Sequence, residues 1–394
     1  MQYDFDTVLS RRGIGAAKWN AAVNSNGVLP DGVVPLSVAD MEFRTAPKII
    51  EALQKTASSG LWGYTEPDSL YREAVVSWME RQHNWHIEKD WIVPASGVVQ
   101  LLYTAIHAFT APGDNVIIQT PVYYPFYYAI EKNGRTLLPN PLKHVGMDYT
   151  MDFDDLREKA KHAKLLFLCS PHNPVGRVWS REELTELAEI CLENHVLVVS
   201  DEIHFDLVYP PHKHTVFANL DPCYRDNCLV LTAASKTFSL AGLCCANAIV
   251  PNQELRAKLD AQIWADGTWT YSTFGMDAIK VAYTQCDEWY KALLDYLWGN
   301  YQYFKSFMAE HFPKVPVADL QGTYLVWFDC SSFGLEPQAL ERFMKDEASL
   351  FLDEGYIFGD CGACFERINI ACPRAVLEDA MDRLLKAARH RGLV

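Results

Sequence analysis

The strongest constraint on the fold is a series of short apolar runs, each of which leads to a polar residue. The four pairs are Asn115–Gln119 with Tyr123, Leu165–Cys169 with Asn173, Val196–Val199 with Asp201, and Cys228–Leu231 with Lys236. Helix-like stretches separate the runs, which favours a mainly parallel sheet covered by helices. Ligands bind beyond the carboxyl ends of strands in such a sheet. We therefore expect a tyrosine, an amide, a carboxylate and an amine to meet at one place.

These four side chains suit a carbonyl cofactor held as a Schiff base on a lysine. Taken alone, Lys236 could be a solvated residue in a Ser- and Thr-rich turn, and Asp201 could be a helix N-cap. Asn173 precedes a proline and could simply form a turn. Their succession after separate strand-like runs favours the chemical role.

Two helices are predicted close to these runs. Ser180 and Glu183 form a capping-box pattern before apolar residues at helical spacing. A second helix is predicted between Ser96-Gly97 and Ala111–Gly113. Its N-terminus at Ser96, Gly97 and Val98 offers unpaired N–H groups and a positive dipole end, which can bind a phosphate. Most helix N-termini bind only water, so this feature is weak by itself.

At 394 residues the chain is too long for one ordinary core. Beyond about residue 285 the pattern changes to long helical stretches around short strands. The helices are predicted at Glu288–Phe312 and Val376–Arg391, and the strands near Tyr324–Phe328 and Arg367–Ile370. We expect a large domain at 45–285, and a smaller α+β domain formed by 286–394 with an N-terminal arm at 1–44.

Composition excludes several classes of function. The formal charge of −15 argues against nucleic acid as a partner. No apolar run approaches the length of a membrane span, and the acidic, aromatic N-terminus is unlike a signal peptide. Eleven cysteines, an odd number, favour free thiols in a reducing cytoplasm. The one C-x-x-C pair, Cys361 and Cys364, lacks a second pair, so no metal site is expected.

Motifs spread over nearly the whole chain resemble the fold-type I enzymes that depend on pyridoxal phosphate (PLP). Within them the chain is most similar to the cystathionine β-lyase group of C–S lyases, relatives of the class I/II aminotransferases. The matching segments are Trp19-Asn20, Ser37–Met41, Gly63–Thr65, Thr120–Tyr123, Ser170–Trp179, Asp201–His204, Ser235–Phe238, Leu240–Gly242, Phe365–Asn369 and Ala371–Arg374. The resemblance implies an aspartate aminotransferase-like α/β fold. Its large domain has a mainly parallel seven-stranded sheet, and its smaller domain is α+β.

The resemblance also implies a role for each candidate residue. Lys236 would bind the cofactor and act as base at the substrate Cα. Asp201 would keep the pyridine nitrogen protonated, and Asn173 would donate to the phenolic oxygen. Tyr123 would stack on the ring and assist proton transfer, although it could equally belong to a packed aromatic cluster. Arg367 would bind the substrate α-carboxylate, unless it forms an ordinary ion pair.

Phosphate binding departs from the aminotransferase pattern. Cys244 stands where an arginine is expected eight residues after the lysine, and Ala233 stands where a serine is common. The phosphate would then depend on the neutral groups Ser96, Gly97, Val98, Thr232, Ser235 and Tyr64. The resemblance implies that Tyr64 reaches it from a neighbouring subunit, with Thr273 as a weaker candidate.

His204 replaces the tyrosine that aminotransferases carry three residues after the aspartate. The resemblance makes the Asp201–His204 motif a mark of the lyase group. His204 could hydrogen-bond the surroundings of the cofactor, or it could be a structural histidine satisfied by a backbone carbonyl. We assign it no catalytic step.

The implied activity is a homodimeric PLP-dependent C–S β-lyase. Such an enzyme cleaves cystathionine, or a related cysteine S-conjugate, to a thiol, pyruvate and ammonia. An aminotransferase is the nearest alternative, because both reactions begin with loss of the Cα proton. A regulatory protein that retains the fold is a further alternative.

Overall fold

The computed structural model describes residues 3–394, and a seven-stranded sheet lies at its centre. The strands of this sheet and of two smaller ones are β1 (Ile92–Ala95), β2 (Asn115–Ile118), β3 (Thr136–Pro139), β4 (Lys143–Val145), β5 (Asp148–Thr150), β6 (Ala163–Cys169), β7 (Leu197–Asp201), β8 (Cys228–Thr232), β9 (Ala246–Ile249), β10 (Leu325–Asp329), β11 (Asp353–Glu354) and β12 (Phe365–Asn369). The large sheet has the order β1-β9-β8-β7-β6-β2-β3.

Strand direction in the large sheet confirms the predicted fold class. The pairs among β8, β7, β6, β2 and β3 are parallel. Only β9 runs against its neighbours, because it pairs antiparallel with both β1 and β8. Strands β7 and β8 are buried along their whole length, as expected for strands covered by helices on both faces.

Helices pack against the large sheet. They are α1 (Ala17–Ala21), α2 (Pro47–Ser59), α3 (Ser69–His83), α4 (Val98–Phe109), α5 (Pro125–Glu131), α6 (Phe153–Ala160), α7 (Arg181–Glu193), α8 (Pro222–Arg225), α9 (Gln253–Ala265), α10 (Thr273–Gln285), α11 (Asp287–His311), α12 (Pro337–Arg342) and α13 (Arg374–Arg391). The predicted capping box is present at the start of α7, and α4 begins directly after Gly97 as predicted. Within residues 3–394, no helix combines the length and apolar character needed to cross a membrane.

The C-terminal part carries a separate antiparallel sheet in the order β10-β12-β11. The N-terminal arm runs beside it. Leu36 N–H donates to Phe351 O at 2.9 Å, and Asn369 N–H donates to Leu36 O at 2.8 Å. Helix α11 packs against α13 on this side of the molecule. Backbone hydrogen bonds thus join the arm to the C-terminal sheet, while the division into domains at 45 and 285 stays a prediction.

Candidate active site

A cavity of about 200 Å³ lies beyond the carboxyl ends of the parallel strands. The predicted residues that line it are Ser96, Gly97, Val98, Tyr123, Asn173, Asp201, His204, Ser235, Lys236 and Arg367. Five of the seven strands lead to it: β1 to Ser96, β2 to Tyr123, β6 to Asn173, β7 to Asp201 and β8 to Lys236. The strand-end pattern in the sequence therefore corresponds to one shared site.

Lys236 lies in the turn after β8, and its side chain is partly exposed to the cavity. Its Nζ donates to the carbonyl oxygen of Ala39 at 2.6 Å. Burial lowers the pKa of Lys236 to about 8, and the positive charge of Arg367 acts in the same direction. Asp40 and Asp201 oppose the shift. The amine is thus closer to its neutral, reactive form at physiological pH than an ordinary lysine.

Asp201 ends β7 and is buried. Its Oδ1 accepts from the N–H of Ile203 at 3.1 Å. Burial raises the pKa of Asp201 to about 7, while that hydrogen bond and the charge of Lys236 act in the opposite direction. A cation beside this carboxyl would favour its ionised form. A protonated ring nitrogen of a bound cofactor is such a cation.

Asn173 and Arg367 orient each other. Nη1 of Arg367 donates to Oδ1 of Asn173 at 2.8 Å. This bond assigns the amide oxygen to the arginine, so the Nδ2 group remains available as a donor. The other guanidinium nitrogen, Nη2, donates to Asp353, and the ring of Phe358 lies 4.7 Å from the guanidinium carbon. Arg367 therefore also forms an ion pair, and its partner Asp353 is buried behind the cavity lining.

Tyr123 both lines the cavity and packs in an aromatic cluster. Its ring centroid lies 5.3 Å from that of Tyr124 and 6.3 Å from that of Phe126. Burial raises the pKa of Tyr123, so the phenol keeps its proton at physiological pH. The two interpretations of this residue are compatible, since one face packs while the residue still borders the cavity.

His204 is buried, and burial lowers its pKa well below the ordinary value for histidine. The positive charges of Lys236 and Arg367 add to this shift, so the ring is neutral. No group in residues 3–394 accepts from or donates to its Nδ1. The expectation of a histidine satisfied by a backbone carbonyl is therefore not met at this nitrogen.

The predicted phosphate-binding residues divide into two groups. Ser96, Gly97 and Val98 at the start of α4 line the cavity, as does Ser235. Thr232 does not, because it ends β8 with a fully buried hydroxyl that has no partner in the described chain. Its placement gives no support to a phosphate contact.

Two departures from the aminotransferase pattern can also be located. Ala233 lines the cavity. Cys244 is exposed, lies outside the cavity lining and has a left-handed backbone with φ of 51°. Within the described residues, Lys236 and Arg367 are the lining residues that carry a positive charge.

Tyr64 lies outside the cavity lining, with 89% of its surface exposed. Thr273 is also outside the cavity lining, and its hydroxyl forms a hydrogen bond with the hydroxyl of Thr65 at 2.5 Å. The phosphate contact from a neighbouring subunit stays a prediction for both residues.

Sequence reasoning did not identify Asp353, Val38 or Ala39 as site residues. Val38 and Ala39 line the cavity and lie within the Ser37–Met41 segment. That segment was part of the family resemblance, but no role was assigned to its residues. Asp353 lies on the two-residue strand β11, directly opposite Arg367 on β12. Such a short strand has no periodic pattern in sequence, so no signal could have found it.

The donors that surround the cavity fit PLP. Lys236 offers an amine for the carbonyl, Asp201 a carboxylate for the ring nitrogen, and Asn173 an amide donor for the phenolic oxygen. The N-terminus of α4 offers N–H groups for a phosphate. Within residues 3–394, no cluster of three or more His, Cys, Asp or Glu side chains could hold a metal ion.

Comparison with known proteins agrees with this geometry. The family model for aminotransferase class I and II matches residues 31–384. Cystathionine beta-lyase PatB of Bacillus subtilis is 40% identical over 387 residues, which are 98% of this chain and 99% of PatB. Protein MalY of Escherichia coli is 32% identical over 391 residues, with coverage of 98% and 99%.

Solved structures are also similar to this chain. Cystalysin from Treponema denticola, whose crystal structure contains a pyridoxal 5'-phosphate cofactor, superposes with a TM-score of 0.97 at 40% identity. The match covers 99% of this chain and 100% of cystalysin. Because the family model and these relatives match almost the whole chain, and the site geometry agrees, the chain belongs to the aminotransferase class I and II family.

Proposed function

We propose that the protein is a PLP-dependent C–S β-lyase that cleaves cystathionine or a related cysteine S-conjugate to a thiol, pyruvate and ammonia. The observation that carries the proposal is the convergence of Lys236, Asp201, Asn173 and Arg367 on one cavity. The similarity to PatB along the whole chain supports the lyase activity within the family.

The roles of the cofactor-binding residues follow from their contacts. When bound, PLP supplies an electron sink for negative charge at the substrate Cα. Asp201 would hold the ring nitrogen protonated from its buried position at the end of β7, and Asn173 would donate its free Nδ2 group. Ser96, Gly97, Val98 and Ser235 would bind the phosphate, and His204 would border the cofactor as a neutral ring.

Three residues would act on the substrate. Arg367 would bind the α-carboxylate through N–H groups that Asn173 and Asp353 leave free. Lys236, whose pKa is lowered to about 8, would take the Cα proton. Tyr123 stays a protonated phenol and can give a proton to the departing sulfur. Cleavage of the Cβ–S bond then releases the thiol, and hydrolysis of the remaining fragment gives pyruvate and ammonia.

A direct test is incubation of the PLP-loaded protein with cystathionine in the absence of any keto acid. We expect pyruvate and a free thiol in equal amounts. Lys236→Ala should lower the rate by about 10²- to 10⁴-fold, because it removes the proposed base. Turnover that requires a keto-acid acceptor would instead identify an aminotransferase. A protein that binds PLP but converts cystathionine neither with nor without a keto acid would support a regulatory role.

We also propose a homodimer with shared active sites in a reducing cytoplasm. The exposure of Tyr64 and of its neighbours Leu61 and Trp62 supports a subunit contact at this surface. All eleven cysteines are free thiols, which supports the reducing compartment.

A further inference from the structure

We propose that Asp353 is a positioning residue that fixes two parts of the site at once: the guanidinium of Arg367 and the arm segment 37–40. The inference deepens the proposed function, since it rests on Arg367 as the group that binds the substrate carboxylate. It does not depend on whether elimination or transamination follows.

The contacts of Asp353 carry the first step. Its side chain is buried on β11, and its backbone lies opposite Arg367 in the register of β11 and β12. Oδ2 of Asp353 accepts from Nη2 of Arg367 and also from the N–H of Val38 at 2.8 Å. One carboxylate oxygen therefore links the arginine to the N-terminal arm.

The backbone of Val38 shows that the arm is held under constraint. Val38 has φ of 47°, a left-handed conformation that is unfavourable for a β-branched residue. Asn369 Nδ2 donates to Val38 O at 2.7 Å and to Asp40 O at 2.9 Å. Together with Asp353, these bonds keep the segment in a conformation that it would not adopt alone.

The constrained segment touches the catalytic lysine. Ala39, the residue after Val38, accepts from Nζ of Lys236 at 2.6 Å, and both Val38 and Ala39 line the cavity. The arm thus spans from Lys236 to the Arg367–Asp353 pair. Asp353 therefore holds the arginine end of this segment, while Ala39 contacts Lys236 at the other end.

Burial explains why Arg367 needs this partner. The arginine is buried, and a buried cation without a counter-charge is unfavourable. Asn173 holds Nη1, and Asp353 holds Nη2, so the plane of the guanidinium is set before a substrate arrives. A pre-oriented clamp binds a carboxylate with less loss of side-chain entropy. Loss of Asp353 should therefore weaken carboxylate binding more than the chemical step.

The experiment compares Asp353→Asn with Glu354→Gln in the PLP-loaded protein. Glu354 is the adjacent residue of β11, and it pairs with Lys345, which keeps a 2.7 Å bond to Glu341 when Glu354 is changed. The control thus makes the same charge change on the same strand away from the cavity. Binding is followed by the absorbance of the bound cofactor, with two probes: L-alanine, which has a carboxylate, and ethylamine, which has none.

We expect Asp353→Asn to weaken L-alanine binding by about tenfold to a hundredfold, as for loss of a hydrogen bond to a charged group. Ethylamine binding should be unchanged, and Glu354→Gln should leave both affinities unchanged. Asp353→Glu should restore part of the L-alanine affinity. Equal loss of affinity for L-alanine and ethylamine would indicate a general disruption of the site. Unchanged affinity for L-alanine would show that Asp353 does not position Arg367. Either result overturns the proposal.

Hydrogen exchange tests the arm independently of turnover. The Val38 amide should exchange about tenfold faster in Asp353→Asn than in the wild type. The Glu42 amide, which donates to Ala371 O at 2.9 Å, should not change. If Asp353→Asn does not fold, Asp353→Glu carries both measurements, with intermediate effects expected. Unchanged exchange at Val38 in the folded variant would overturn the link to the arm.

The two hypotheses fail separately. Absence of pyruvate from cystathionine, together with selective loss of L-alanine binding in Asp353→Asn, would contradict the lyase and leave the clamp intact. Release of pyruvate, with probe affinities unaffected by the variant, would support the lyase and overturn the role of Asp353.

Discussion

The amine of Lys236 lies where burial and the nearby guanidinium of Arg367 both disfavour its protonated form. Its pKa in the folded chain is about 8, well below the value of about 10.4 for a free lysine. Below pH 8 the amine is mainly protonated, and it becomes nucleophilic as the pH rises through 8. Reactivity at one lysine therefore reports directly on the electrostatics of the cavity.

This shift predicts selective chemical labelling of the cofactor-free protein. Pulse acetylation followed by mass spectrometry should show Lys236 gaining reactivity with a midpoint near pH 8. In the urea-unfolded chain the same residue should titrate near 10.4, as in model peptides. A folded-state midpoint equal to that of the unfolded chain would contradict the assigned burial of the amine.

Individual site residues were predictable where they follow a strand. Asn173, Asp201 and Lys236 each come after an apolar run, and parallel pairing brings those run ends together. Asp353 was not predictable, because its importance arises from the register of β11 against β12 and from the return of the arm to Val38. Both are long-range properties that no local pattern encodes.

Among the elements, the strands with continuous apolar sequence give the clearest signal, and β9 gives a weaker one. The four runs correspond to β2, β6, β7 and β8, with ends shifted by a few residues. Strand β9 contains Asn247, a polar residue that breaks the apolar pattern. The hydroxyl of Tyr71 donates to Asn247 Oδ1 at 2.5 Å, while Asn247 Nδ2 has no partner in residues 3–394. The strand thus forms around a polar side chain that is only partly bonded.

The start of α4 is the element on which phosphate binding should depend. It supplies backbone N–H groups at Gly97 and Val98, whereas the turn at Cys244 supplies no cation. Cys244→Arg should slow the loss of PLP on dialysis by about tenfold, because an arginine adds charge-assisted bonds to the phosphate.

The rate of PLP loss is measured by absorbance of the retained cofactor. Cys223→Arg is the matched control, since Cys223 is also exposed but lies on α8, away from the cavity. It should release PLP at the wild-type rate. Equal retention in wild type and Cys244→Arg would show that neutral donors bind the phosphate as well as a cation does.

The whole molecule carries one group of exposed apolar side chains around Tyr64. Leu61 is 83% exposed, Trp62 58% and Tyr64 89%, and the exposed Trp264 stacks on Trp269 at 4.9 Å close to Tyr64. Grouped exposed apolar side chains mark contact surfaces in soluble proteins. If a second copy of the chain covered this surface, Tyr64 of one copy would reach the active site of the other.

Two variants separate assembly from cofactor binding. Leu61→Asp places a charge in the proposed interface, so it should yield a folded monomer that retains PLP poorly, because the neighbour's tyrosine is lost with the dimer. Tyr64→Phe should remain a dimer and release PLP about tenfold faster, since only one hydrogen bond to a charged group is removed.

Light scattering gives the subunit mass, and dialysis gives the retention of PLP. Val145→Asp is the control for adding a charge to an exposed apolar site, because Val145 is 85% exposed and lies on the hairpin strand β4. It should change neither quantity. A dimer that survives Leu61→Asp would place the interface elsewhere. Unchanged retention in Tyr64→Phe would mean that the phosphate is bound by its own subunit, and the active site would then be complete within one chain.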